Sequence, residues 1–157
     1  MKTNATFQLK KILVPTDFSA CSAKALDYAL AFAERSGAGL ILLHVVEPAY
    51  FGAYGQDVPP DLIEFHEDAQ KLAGERLEKL SREKIAGRAP VQTVVATGNA
   101  REVIVESARS LEADLIIIAT HGYTGLRHVL LGSTAERVVR CASCPVLTVR
   151  EREHEFV

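Results

Sequence analysis

The chain has 157 residues and 48% hydrophobic content, enough to fill the core of one domain, yet no apolar run approaches the ~20 residues of a membrane span. With 18 Lys and Arg against 20 Asp and Glu, the formal net charge of −2 gives no broad attraction to nucleic acid or to an anionic membrane. Three cysteines, an odd number in a chain that needs no covalent staples, argue against a disulfide framework and fit a reducing compartment.

The opening MKTNATFQL lacks the apolar segment of a secretory signal. Residues 1–9 therefore read as an extension ahead of a domain over 10–150, residues 151–157 as a solvated tail, and the expected location is cytoplasmic. The first β-type run, residues 11–15 (KILVP), is short and branched, as a buried strand requires, and leads into Pro15, Thr16 and Asp17. Asp17 is either a ligand contact or an acceptor for loop amides. Ser19 can cap the helix that follows, whose apolar positions Ala25, Ala29, Phe32 and Ala33 share a face and which Gly37 and Gly39 are expected to end.

Residues 40–46 (LILLHVV) form the second run, in which His44 reads as a partly buried, hydrogen-bonded histidine. Residues 48–60 (PAYFGAYGQDVPP) have neither strand nor helix periodicity. Tyr50, Phe51 and Tyr54 in this loop either close over a ligand or pack on the next helix, where Leu62, Phe65, Ala69, Leu72, Ala73, Leu77 and Leu80 make an apolar face. A third strand over 91–97 precedes a helix opened by Asn99 with Glu102 and carrying Val103, Ile104, Ala108 and Leu111 on one face. Residues 115–119 (LIIIA) and 146–149 (VLTV) are the fourth and fifth strands.

This alternation predicts an α/β fold of the doubly wound, Rossmann-like kind: a five-stranded, mainly parallel sheet with helices on both faces. Ligands in such a sheet lie at the carboxyl ends of strands where the strand order reverses. Two ends carry suitable chemistry, Pro15-Thr16-Asp17 and Thr120-His121-Gly122, and they form one site if the first and fourth strands are neighbours.

Residues 119–134 (ATHGYTGLRHVLLGST) place a glycine-bearing excursion between a strand and a helix. Gly122 and Gly132 can bring backbone N–H groups close to an anion, and the helix starting near Ser133 adds its positive dipole end and the hydroxyls of Ser133 and Thr134. Arg127 and His128, inside the excursion, are either partners for a terminal phosphate or merely solvated loop residues. The competing reading is a capping box of Ser133 with Glu136. Neither Gly-x-Gly-x-x-Gly after the first strand nor a P-loop Gly-Lys-Ser/Thr is present, which excludes the common dehydrogenase and NTPase fingerprints.

On these residues the chain resembles the single-domain universal stress proteins, from about residue 10 to 150. Nucleotide-binding members of that family carry Gly, two residues, Gly, nine residues, Gly and then Ser or Thr. Here the later positions are Gly122, Gly132 and Ser133, while Ala119 stands at the first glycine position. The resemblance implies an ATP-binding, regulatory or nucleotide-sensing protein of the stress response with at most slow hydrolysis. It also implies that Val45 bonds adenine through its backbone and that Pro15, Thr16 and Asp17 flank the nucleoside. Gly122, Gly132, Ser133 and Thr134 would hold the phosphates, which Mg²⁺ or Mn²⁺ would bridge, with Ala119 and His121 also expected among the nucleotide-binding residues. His121 is the only local candidate for a general base, so fast turnover is not expected.

Two other readings of the same fold are a nucleotide-free homodimeric interaction protein, with Ala119 marking loss of the pocket, and a slow ATP hydrolase. Phosphate receivers are disfavoured because Asp17 is the lone carboxylate at the two candidate strand ends; flavin carriers are disfavoured because the loop from Pro15 to Ser19 is too short. Cys141 and Cys144 form a Cys-x-x-Cys, but they follow a helix carboxyl end, which disfavours a thiolate. The last strand is short, apolar and expected at a sheet edge, and the resemblance implies a homodimer through Val146, Leu147 and Val149.

Overall fold

The computed structural model describes residues 8–48, 58–121 and 131–151. Among these residues five strands, β1 (Lys11–Pro15), β2 (Gly39–Val46), β3 (Val91–Thr97), β4 (Leu115–Ala119) and β5 (Val146–Val149), alternate with four α-helices. These are α1 (Ala20–Ser36), α2 (Pro60–Leu80), α3 (Ala100–Ser110) and α4 (Ser133–Cys141), with a π-helical turn over Ser81–Ile85 extending α2. The strands form where the apolar runs predict them, with β2 one residue longer. Gly39 donates its N–H to the Lys10 carbonyl at 2.8 Å, so it opens the strand, and Gly37 alone ends α1, at φ +76°.

All pairings are parallel and the sheet order is β3-β2-β1-β4-β5. The chain builds outward from β1 to β3, then crosses back to lay β4 on the other side of β1. The reversal therefore falls between β1 and β4, the two strands whose ends carry the candidate chemistry. Helices α1 and α2 cover one face, over Ile12, Val14, Leu40, Leu42 and Ile117; α3 and α4 cover the other, over Leu13, Ile41, Leu43, Ile116 and Ile118. Successive residues of β1, β2 and β4 thus feed opposite cores, which explains why these strands lack polar alternation.

Helix starts differ in how they are capped. Ser19 Oγ accepts from Ser22 N at 3.2 Å, as expected. Asn99 Oδ1 accepts from Arg101 N, but Glu102 turns outward to Arg137 at 3.2 Å, and the Ala100 N–H goes instead to the Glu47 carboxylate at 2.7 Å. The capping box of Ser133 with Glu136 does not form: the N-cap is Gly132, Ser133 is already helical, and Glu136 pairs with Arg140 at 3.0 Å.

Helix α2 departs from its expected apolar face. Ala73 and Leu77 are buried, whereas Phe65 and Leu72 are 67% and 57% exposed. β3 is the edge strand on that side, so among the described residues no further sheet covers the first half of the helix. Among the described residues no helix is long and apolar enough to cross a membrane.

Candidate functional site

A cavity of about 230 Å³ opens between the carboxyl ends of β1, β2 and β4 and the amino ends of α3 and α4. Pro15, Thr16, Asp17, Val45, Ala119, His121, Gly132, Ser133 and Thr134 all line it, so nine of the ten residues expected from the sequence come together. The tenth, Gly122, lies outside the described residues, as do Arg127, His128, Tyr50, Phe51 and Tyr54. Ser22, His44, Ala100, Ile104, Thr120 and Ala135 also line the cavity. Ala100 and Ile104 reach it because α3 crosses over β2, a packing contact that leaves no local signal in the chain.

The loop after β1 is held by its own polar groups. Thr16 is buried; its N–H donates to the Leu43 carbonyl at 2.8 Å, and its Oγ1 meets Ser22 Oγ at 3.0 Å and accepts from Phe18 N at 3.0 Å. Asp17 Oδ1 accepts from Ser19 N at 3.0 Å, so the loop-ordering role expected of this carboxylate is present. His44 Nδ1 lies 2.8 Å from the Thr16 carbonyl oxygen; a carbonyl only accepts, so Nδ1 carries the proton. This matches the expected partly buried, hydrogen-bonded histidine.

The backbone of Val45 faces the cavity, by ladder parity. Gly39 N bonds Lys10 O and Leu43 O accepts from Thr16 N, so odd-numbered residues of β2 direct their N–H and C=O toward β1. The β1–β2 ladder stops at Pro15 and Leu43, two residues short of Val45. Among the described residues nothing bonds the Val45 N–H or C=O on that side. One donor and one acceptor are thereby presented side by side.

At the opposite wall the structure corrects one expectation. The Gly132 N–H is not available to an anion, because it donates to the Thr120 carbonyl at 2.7 Å. Glycine is nevertheless required there, since a Cβ would stand 2.9 Å from that same oxygen. The donors shift one residue onward. Glu136 N takes the first intrahelical bond of α4, to the Gly132 carbonyl, leaving Ser133, Thr134 and Ala135 N–H without an acceptor among the described residues. Ala135, which sequence reasoning missed, belongs to this set. Three amides and the positive end of the α4 dipole form an anion cradle.

Ala119 lines the cavity, yet its side chain packs on the face of the sheet away from that cradle. It follows Ile117 by two residues in β4 and packs with it against the core under α1, the face opposite α3 and α4. The departure from glycine therefore directs no methyl toward Ser133. His121 lies beside it, with Nδ1 2.9 Å from Thr120 Oγ1.

Among the described residues, other features carry no competing chemistry. A larger open groove of about 1320 Å³, lined in part by Leu9, Phe32, Arg35 and Arg88, lies at the amino ends of the strands, where a parallel sheet presents no ligand-binding loops. Among the described residues no group of three or more His, Cys, Asp or Glu is placed to hold a metal. The cysteines are free thiols, and desolvation pushes Cys21 and Cys144 up from the ordinary thiol range. A raised pKa means less thiolate at neutral pH. Iodoacetamide labelling of Cys144, followed by peptide mass spectrometry, should therefore be slower than that of free cysteine at pH 7.5, and its acceleration with rising pH should come later than that of free cysteine. Labelling as fast as free cysteine at pH 7.5 would restore the redox reading of the Cys141–Cys144 pair.

A sequence profile described as the universal stress protein family matches residues 8–150. The chain is 35% identical over 146 residues to the universal stress protein MJ0531 of Methanocaldococcus jannaschii, covering 93% of this chain and 85% of that one. Among solved structures it is similar to the universal stress protein UspA from Lactobacillus plantarum, with a TM-score of 0.80 and 27% identity over 92% of this chain and 99% of the other. It is also similar to a universal stress protein in complex with cAMP, with a TM-score of 0.60 and 26% identity over 91% and 98% of the two chains.

Proposed function

The chain belongs to the universal stress protein family, and on that premise we propose that it binds an adenine nucleotide, ATP with Mg²⁺ or Mn²⁺, and acts as a regulatory nucleotide sensor. One observation carries this reading: a single cavity has a paired backbone donor and acceptor at Val45 on one wall and three helix-terminal amides, Ser133 to Ala135, on the other. Adenine offers a ring-nitrogen acceptor beside an amino donor, which complements the Val45 N–H and C=O. Guanine presents the opposite order on that edge, so ATP should be preferred to GTP. The related structure in complex with cAMP supports an adenine nucleotide as the ligand class.

The cavity enclosed by the described residues is smaller than the roughly 300–1,000 Å³ usual for ligand sites, which supports a pose with base and ribose inside and the outer phosphates at the rim. Ser133 is exposed and Thr134 half-buried, as donors to such phosphates would be. Their hydroxyls and the Asp17 carboxylate are, among the described residues, oxygens at the cavity that could share a cation with the phosphates. That donor set fits an ion arriving with the nucleotide, which would neutralise phosphate charge. Among the described residues His121 is held by Thr120 Oγ1 beside the proposed phosphates, an arrangement from which we expect slow turnover at most.

Native mass spectrometry of freshly purified protein, followed by calorimetry with ATP, GTP and Mg²⁺, tests the reading. Retained adenine nucleotide, or heat with ATP well above that with GTP, is the expected result. No retained mass and no heat with either nucleotide would favour the nucleotide-free interaction protein.

A further inference from the structure

The residue after the site carboxylate, Phe18, has a left-handed backbone at φ +62°, a conformation unfavourable for a bulky side chain. Its ring is held from two sides. The His44 ring lies 4.6 Å away, centroid to centroid, tilted by 37°, and Arg76 Cζ sits 4.0 Å from the ring centroid. Among the described residues no carboxylate pairs with Arg76, so its cation is committed to the aromatic face. His44 in turn holds the Thr16 carbonyl, Phe18 N donates to Thr16 Oγ1, and Ser19 N donates to Asp17 Oδ1. The stack thus joins α2, which does not line the cavity, to the loop that presents Thr16 and Asp17 to it.

We infer that Arg76 is a positioning residue for the nucleotide site: by clamping Phe18 against His44 it holds the strained loop after β1 in the geometry that aims Asp17 into the cavity. The unfavourable φ of Phe18 is what makes a clamp necessary. A loop residue in this region relaxes unless surrounding contacts over-determine it. The consequence for nucleotide affinity rests on the binding reading above; the consequence for loop order does not.

The inference is tested with three substitutions, each followed by amide hydrogen exchange at Phe18 and Ser19, by calorimetry with ATP and Mg²⁺, and by thermal melting. Arg76→Met keeps the aliphatic stem and removes the cation, Arg76→Lys retains a cation, and Phe18→Gly accepts the positive φ while deleting the ring. Exchange at the two loop amides should rise about two- to fivefold in Arg76→Met, the range expected for one exposed cation–π contact, and ATP should bind weaker by a similar factor. Arg76→Lys should recover most of both effects, and Phe18→Gly should remain folded with the fastest loop exchange of the set. Amides in the middle of α1 should be unaffected. Wild-type exchange and wild-type ATP affinity in Arg76→Met would overturn the inference. If the unaltered chain gives no heat with ATP, the binding reading fails and loop exchange alone decides the role of Arg76.

Discussion

Replacing Gly132 with valine should weaken ATP binding at least ~100-fold while leaving the sheet intact, as read by calorimetry and far-UV circular dichroism. The added Cβ would lie 2.9 Å from the Thr120 carbonyl oxygen, closer than such atoms approach. That carbonyl cannot retreat easily, because its residue is anchored on the other side by a 2.8 Å bond from Thr120 N to the Val149 carbonyl. The start of α4 must therefore move, and with it the N–H groups of Ser133, Thr134 and Ala135. Charge-assisted bonds contribute about 1.5–3 kcal/mol each, so losing two of them accounts for the expected factor. Alanine at the same position carries the same Cβ and should be nearly as damaging. Gly74→Ala is the control, since its Cβ would meet Val95 at an ordinary 4.0 Å. Undiminished ATP affinity in Gly132→Val, in a protein that binds ATP, would remove the α4 terminus from the site.

The second large effect concerns association. β5 is an edge strand paired only with β4, in register from Ile116 with Val146 to Ala119 with Val149. Ile116 N bonds Pro145 O and Thr120 N bonds Val149 O, so Pro145, Leu147 and Val149 direct their backbone toward β4. Val146 and Thr148 face outward, and among the described residues nothing pairs with their N–H and C=O on that side. We propose that a second copy pairs there, as a two-fold dimer. Leu147→Lys should shift sedimentation from dimer toward monomer with at least a tenfold weaker association constant, although Leu147 also packs on the α1-side core and some stability will be lost. Thr148→Pro is the cleaner test. It deletes an outward N–H that the chain's own ladder does not use, as edge strands permit. A dimer equally tight in both variants would move the interface elsewhere.

The elements themselves were legible because the forces that form them are local. Runs such as LIIIA and KILVP cannot be solvated, and Ser19 and Gly37 cap α1 through atoms only a few residues away. Phe65 and Leu72 misled for the opposite reason, since helical periodicity reports a capacity for burial and the edge position of β3 decides whether a partner exists. Glu102 misled likewise, its reach to Asn99 losing to Arg137 on α4.

Within the site, residue types suited to anions were readable at Gly132, Ser133 and Thr134, but which amides remain available was not. The Gly132 N–H is taken by Thr120, twelve residues back, and the donor role passes to Ala135, whose side chain gives no hint of it. Val45 was reached by resemblance alone. Its exposed donor and acceptor follow from where β1 stops, a matter of register.

The sequence by itself determined which segments are strands and helices, their order, and the chemical character of the two candidate ends, because apolar runs, caps and turn residues act over a few positions. Only the tertiary structure decided that β1 and β4 lie side by side, that Arg76 clamps Phe18, and which N–H groups face the cavity unspent. Those outcomes depend on hydrogen bonds and contacts between residues far apart in the chain, where competition among partners is resolved by packing.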